Sequence, residues 1–399
     1  MAENEFILAQ RRALVESLKQ KGNLLDPALE AAFLAVPRHL FLPEQLLKQA
    51  YVDEAIPIKW DSNYAPLSSS SQPGMMAIML RQLALHPGQN VLEIGAGTGY
   101  NAAIIRHVLG ESGLITTIEL DTDLAEQARR SLQRAGISGV TVVQADGALG
   151  YAPRAAYDRI IVTAGIWDVP LNWLKQLKPG GILVAPIWVE AFQISAAFVL
   201  QPDGTLLSTV NTPCGFIHLR GLAAGPDNLL PVGGSGLTLI LDDPDRLDGM
   251  AVHLLLSEDW EVSRLGLALS AGEYWRGLLP YLVLNLPPEY TLALYTVTAG
   301  QKAYGLEEAG FALFSAGSAA FIPYQGAGMV NCFAGADAFL MIEAMTAAWD
   351  AAGRLDTRHL RLHLVPDEDA PPLPAGAKAM PRQDHTLRMW LETETNPEK

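Results

Sequence analysis

The decapeptide Val91-Leu92-Glu93-Ile94-Gly95-Ala96-Gly97-Thr98-Gly99-Tyr100 constrains this chain more than any other stretch. Four strand-forming residues run into three glycines spaced two apart, and a helical pattern from Asn101 to Leu109 follows at once. Glycine has no Cβ and takes positive φ readily, so the backbone can turn sharply there and come close to a ligand. Strand, turn and helix in this order make a nucleotide cradle. A dinucleotide fingerprint reads G-x-G-x-x-G. Here Gly99 falls one position early, and Tyr100 stands where the fingerprint needs Gly or Ala. The spacing therefore argues against a dinucleotide.

Further strand patterns follow at Leu114 to Glu119, Val140 to Gln144, Tyr157 to Thr163 and Ile182 to Pro186. Helical stretches lie between them, from Asp123 to Ala135 and closing at Leu174 to Leu177. This alternation predicts an α/β fold, a doubly wound Rossmann-like domain with a parallel sheet. Glu119 ends the second strand 24 residues after Gly95. An acid at that position binds two ribose hydroxyls in such folds, one on each carboxylate oxygen. Asp146, followed by Gly147, ends the third strand and is placed to accept from an adenine amino group. Phe192 to Leu200 and Thr205 to Val210, around Pro202-Asp203-Gly204, read as a closing hairpin.

Before the cradle, Gln10 to Gln20 has helical periodicity, and Asp26-Pro27 opens a second helix with a cap and a proline at its first position. His39, in Val36-Pro37-Arg38-His39-Leu40-Phe41, reads as a packing residue. Ile56-Pro57-Ile58 looks extended. Out of context Ser68-Ser69-Ser70-Ser71 reads as a linker, but Gln72-Pro73 and a helix carrying Met75, Met76 and Met79 follow it directly. The serine run thus ends at a helix N-terminus, where hydroxyls and free N–H groups can hold a carboxylate. A net charge of -15 argues against a nucleic-acid partner, since phosphate binding needs a basic surface. Cys214 and Cys332 offer neither a metal spacing nor a disulfide framework, so reduced thiols, no metal and a cytoplasmic location are expected. The polar N-terminus predicts no secretion signal, and no apolar run reaches membrane-spanning length.

The pattern E-x-G-x-G-x-G resembles the first motif of class I S-adenosylmethionine-dependent methyltransferases. Together with the Val36-Pro37-Arg38-His39-Leu40-Phe41 block, Ala50-Tyr51 with Pro57-Ile58, the Ser-x-Ser-Gln-Pro segment, Asp146-Gly147 and Tyr157-Asp158 to Ala164, it resembles the protein-L-isoaspartate O-methyltransferases. The resemblance covers about 190 residues, and its serine–proline segment and Val-Pro-Arg block are more specific than the glycines. It implies S-adenosylmethionine as cofactor, bound by Glu93, Gly95, Gly97, Gly99, Glu119, Leu120, Asp146 and Gly147. It implies methyl transfer to an isoaspartyl carboxylate of a protein or peptide, with the ester going on to a succinimide. Ser71 and Ser69 match the family's serine and threonine that face cofactor and substrate.

Two departures stand out. The family has a Gly-rich approach to the serine segment, where this chain has Asn63-Tyr64-Ala65-Pro66-Leu67-Ser68. The repair enzymes end near the position of residue 220, whereas this chain runs to 399. A C-terminally extended subset associated with ribosomal-peptide maturation resembles it in its poly-serine-Gln-Pro segment and its C-terminal extension. That subset implies an aspartate of a precursor peptide as acceptor. A cofactor-binding module without activity is the alternative of another class.

The expected organisation is a methyltransferase domain at 1–222, a linker at 223–236 and a C-terminal α+β domain at 237–399 for substrate or partner recognition. In the last, Leu237 to Leu241, His253 to Leu256, Thr291 to Thr296, Phe311 to Phe314 and Leu360 to Val365 read as strands. Trp260 to Leu269, Ala271 to Leu279 and Ala338 to Ala352 read as helices, and Pro371 to Pro374 and the tail from Glu392 as extended.

Overall fold

The computed structural model describes residues 5–62, 64–190, 192–326, 328–366 and 372–392; Asn63, Pro371 and the tail beyond Glu392 lie outside them. The chain opens with helices α1 (Glu5–Gln20) and α2 (Pro27–Ala35). Asp26 caps α2 by accepting from the Ala28 and Leu29 N–H groups. Strands β1 (Ile56–Trp60) and β2 (Pro66–Ser70) form an antiparallel hairpin, with Ile56 opposite Ser70 and Pro57 opposite Ser69. The serine run is therefore a strand, held on one edge by the extended Ile56–Ile58 segment.

Helix α3 (Pro73–Leu83) leads to β3 (Asn90–Ile94), α4 (Tyr100–Leu109), β4 (Leu114–Glu119), α5 (Thr122–Arg134), β5 (Val140–Gln144) and β6 (Tyr157–Val162). Then come α6 (Leu171–Gln176), β7 (Leu177–Val189), β8 (Phe192–Leu200) and β9 (Leu206–Cys214). Val91, Leu92, Ile94 and even Glu93 of β3 are buried, as both faces of a parallel sheet must be when helices cover them. Strands β3 to β7 pair in parallel in the order β5-β4-β3-β6-β7, so the chain reverses its winding between β3 and β6. Ligands of open α/β sheets bind beyond the carboxyl ends of the strands at such a reversal.

The second half departs from the expected division. Strands β10 (Leu229–Val232), inside the expected linker, and β11 (Leu237–Ile240) begin a seven-stranded antiparallel sheet. Its other members are β12 (Trp260–Arg264), β13 (Thr291–Val297), β14 (Ala309–Phe314), β15 (Ser318–Pro323) and β16 (Met329–Ala334). Segment His253 to Leu256 is the end of helix α7 (Gly249–Leu256), not a strand, and Trp260 to Arg264 is a strand, not a helix. Two short helices, α8 (Ala271–Glu273) and α9 (Leu279–Asn285), flank a π turn, and α10 (Asp337–Ala351) covers the sheet. The chain then returns. Strands β17 (Leu360–Pro366), β18 (Lys378–Pro381) and β19 (His385–Leu391) extend the first sheet beyond β9, giving ten strands in all. The Leu362 N–H donates to Ser208 Oγ and Asn211 Nδ2 to the Leu360 carbonyl across that seam. One apolar core runs through both halves, from Leu92 and Ile160 to Tyr274, Leu282, Phe311 and Trp349. Among the described residues no helix is long and apolar enough to cross a membrane.

Candidate active site

A cleft of about 390 Å³ opens at the reversal point, between the glycine turn after β3, strand β2 and the segment Pro213–Arg220. Gly95, Gly97 and Gly99 all have positive φ, at 96°, 50° and 84°. A Cβ on Gly95 would lie 2.5 Å from Thr163 Oγ1, which donates to the Gly95 carbonyl and ties the turn to the end of β6. A Cβ on Gly97 would point across the cleft at the Ser69 carbonyl, 3.5 Å away, and Ser68 Oγ, 3.8 Å away. The cradle and the serine strand are thus opposite walls of one cavity. A Cβ on Gly99 would make ordinary contact with Ala128 of α5, at 3.4 Å, so it is the φ of 84° that favours glycine there.

Of the residues singled out from the sequence, Ser69, Ser71, Gly95, Gly97, Glu119, Leu120 and Gly147 line this cleft together. Glu119 Oε2 accepts the Gly97 N–H at 2.8 Å and Oε1 the Asp121 N–H at 3.2 Å; burial raises its pKa against those bonds. Glu93, Gly99 and Asp146 do not line it. Glu93 is fully buried under the turn, where it accepts from Asn101 Nδ2 and Thr117 Oγ1, and burial pushes its carboxyl up to about 7. Asp146 uses one oxygen for the Ala148 N–H and the other for the Leu222 N–H.

The helix N-terminus after the serines holds a carboxylate of the chain's own. Asp53 Oδ1 accepts the Gly74 N–H at 2.8 Å, and Lys21 Nζ reaches its other oxygen. This replaces the expected use of that N-terminus for a ligand: the N–H of Gly74 is already spent.

Arg38, which the sequence offers only as part of the Val-Pro-Arg block, is central to the serine wall. It is fully buried, and burial lowers its pKa. Its Nη1 donates to the Ala50 and Val52 carbonyls, and its Nη2 to the Glu54, Ser70 and Ser71 carbonyls and Ser70 Oγ. Arg38 thus fixes the backbone of the serine wall. The available signal was an arginine inside an apolar run, since a buried cation needs partners. His39, expected to pack, bonds to Tyr51. At the mouth, Asp121 is clamped by Arg220 at 2.7 Å and Lys59 at 3.0 Å, and the Arg220 bond, with that of Lys59, holds its carboxyl below the usual range.

The cavity fits a nucleoside sulfonium cofactor on two counts. A Cβ on Gly97 would stand in the cleft between the glycine turn and the serine wall, where glycine leaves room. Asn101, in the cleft lining, keeps a buried Oδ1 without a partner, an acceptor suited to an ammonium group.

The family model for protein-L-isoaspartate(D-aspartate) O-methyltransferase matches residues 9–224. The chain is 41% identical over 227 residues to the protein-L-isoaspartate O-methyltransferase of Hyperthermus butylicus, covering 55% of this chain and 92% of that one. To the enzyme of that name from Methanopyrus kandleri it is 40% identical over 223 residues, 55% of this chain and 96% of the other. A solved structure named protein-L-isoaspartate O-methyltransferase superposes with a TM-score of 0.51 at 26% identity, over 88% of this chain and 96% of its own. Its likeness therefore extends well into the second half. The chain belongs to the protein-L-isoaspartate(D-aspartate) O-methyltransferase family.

Proposed function

We propose that the cleft holds S-adenosylmethionine against the glycine turn and an isoaspartyl carboxylate of a protein or peptide against Ser69–Ser71. The carrying observation is the opposition of Gly97 to the Ser69 carbonyl and the Ser68 hydroxyl across one cavity. The family is one of S-adenosylmethionine-dependent methyltransferases of isoaspartyl residues. The cofactor supplies a methyl group on a sulfonium, ready for in-line attack.

The chain's own residues have a positioning task. Glu119 is set to take the ribose hydroxyls, and Leu120 and Gly147 line the cleft beside it. Asp146, just outside the lining, holds the Ala148 and Leu222 N–H groups beside Gly147. Glu93 supports Asn101 from below. The acceptor carboxylate is ionised near neutral pH and needs no base. A hydroxyl such as that of Ser71 orients it without competing for a proton, and orientation is where such a transfer gains rate. Two free thiols agree with a cytoplasmic location.

A second acceptor, the aspartate of a precursor peptide, is the alternative reading of the altered approach to the serine wall. The hairpin that replaces the Gly-rich approach carries Trp60 and Tyr64, 49% and 88% exposed, near the serine wall. The C-terminal extension no longer separates the readings, because the solved isoaspartate methyltransferase aligns with 88% of this chain. Labelled cofactor offered with an isoaspartyl peptide and with its aspartyl counterpart tests both. Label in the first alone supports the proposal; label in the second alone moves the acceptor to aspartate.

A further inference from the structure

A third wall of the cleft, Pro213–Arg220, hangs from a loop that the end of the chain holds in place. The wall Pro213–Arg220 joins the loop after β6 through Gly165, whose N–H donates to the Ile217 carbonyl and whose carbonyl accepts the Leu219 N–H, each at 2.8 Å. The Trp188 N–H donates to the Ile166 carbonyl at 2.9 Å, and the Trp188 ring meets His218 of the wall edge-on at 4.3 Å. Beyond Gly165 the loop carries Trp167 and Asp168. There the turn between β18 and β19 grips it. The Arg382 guanidinium lies 3.6 Å from the Trp167 ring centre and donates to the Trp188 carbonyl at 3.1 Å. It also pairs with Asp242 at 3.4 Å. His385 Nδ1 meets Asp168 Oδ1 at 3.0 Å, and the Asp384 N–H donates to Asp168 Oδ2 at 2.6 Å. Arg382, His385 and Asp168 are all buried. Buried charges and polar groups are stable only when satisfied, so these bonds stand or fall as a set.

We propose that Arg382 and His385 are positioning residues for the methyl acceptor. They fix the Gly165–Val169 loop, and through it the wall Pro213–Arg220. The returning C-terminal segment is on this account part of the transfer site rather than a separable recognition module. The kinetic side rests on the reading of the cleft given above.

The test uses full-length protein, with Arg382→Ala, Arg382→Lys, His385→Leu and His385→Asn. Lysine keeps the charge but cannot lie flat on Trp167 and serve two acceptors at once. Asparagine keeps a donor near the Nδ1 position. Phe333→Leu, in the core of the seven-stranded sheet, is the control for general loosening. Arg382→Ala and His385→Leu should raise KM for an isoaspartyl peptide about tenfold, the equivalent of ~1.4 kcal/mol. They should leave kcat and S-adenosylhomocysteine affinity within about twofold, and His385→Asn should restore most of the loss. The amides of Gly165, Ile166, Trp188 and Leu219 should exchange faster in both. Equal KM increases in Phe333→Leu, or folded Arg382→Ala and His385→Leu with unchanged exchange, would overturn the proposal. Amide exchange decides it even if the wild type methylates no isoaspartyl peptide, which would sink the reading of the reaction instead.

Discussion

Replacing Arg38 by lysine separates the geometry of the serine wall from its charge. The two guanidinium nitrogens divide their work: Nη1 serves Ala50 and Val52, and Nη2 serves Glu54, Ser70 and Ser71. A lysine keeps the buried charge, and so the desolvation cost, but has one nitrogen in place of two. It can serve one of the two groups, leaving at least two carbonyls without a donor. At ~1.5 kcal/mol per lost bond to a charged donor, folding stability should fall by about 3 kcal/mol. The urea midpoint, measured with the m-value checked for constancy, reads this directly. If Nη2's group is the one lost, Ser70 and Ser71 drift. A displacement of about 1 Å costs up to ~100-fold in a positioned transfer, so kcat/KM for the acceptor should drop by between ten- and a hundredfold. Affinity for S-adenosylhomocysteine should change little, since Arg38 touches no part of the glycine turn. An Arg38→Lys protein with the wild-type midpoint and wild-type kcat/KM would refute this account of the wall.

Three further outcomes follow from the site. Ser71→Ala should slow transfer about tenfold, the worth of one orienting hydrogen bond, with cofactor affinity unchanged; unaltered turnover would remove Ser71 from the acceptor site. Glu93 holds its proton in the folded state up to about pH 7 but loses it near its ordinary value of 4.5 when unfolded, so between those values stability should decline as pH rises. Glu93→Gln should flatten that decline in urea midpoints taken at about pH 5 and about pH 8, and an equally steep variant would exclude Glu93 as its source. Asp121, with a depressed pKa, contributes stability above its unfolded value that is lost as pH falls through the folded one. Asp121→Asn should free Arg220 and Lys59 and lower the urea midpoint at neutral pH, most visibly at low salt, and an unchanged midpoint would exclude these pairs as a source of stability.

The first half was legible because its physics is local. Strands buried on both faces give unbroken apolar runs, and glycines needed at positive φ mark the turn between β3 and α4. Seven of the ten expected site residues share the cleft for that reason. Glu93 and Asp146 also sit at the named places in the fold, yet their carboxylates serve Asn101, Thr117 and backbone N–H groups, partners that only tertiary structure brings near. The Arg38 network was invisible in the same way, as its acceptors lie 12 to 33 residues on. In the second half some errors fall on sheet edges, and the interior strands β15 and β16 were not expected either. Trp260, Glu261 and Val262 of β12 are exposed, so no burial pattern marks a strand, and β10 is four residues long with a proline. Helix α7 begins at a glycine after its Asp248 cap, which hid its start. That β17–β19 join the first sheet depends on pairing across about 160 residues, between Leu364 and Leu206, which no local pattern encodes.

Mass spectrometry of an isoaspartyl peptide, quenched in acid after incubation with the protein and S-adenosylmethionine, addresses the transfer itself. One added methyl is expected on the free α-carboxylate of the isoaspartyl residue, and it is lost as methanol when the succinimide forms once the sample is returned to neutral pH. A protein that binds S-adenosylhomocysteine in the cleft but leaves that carboxylate unmethylated would contradict it.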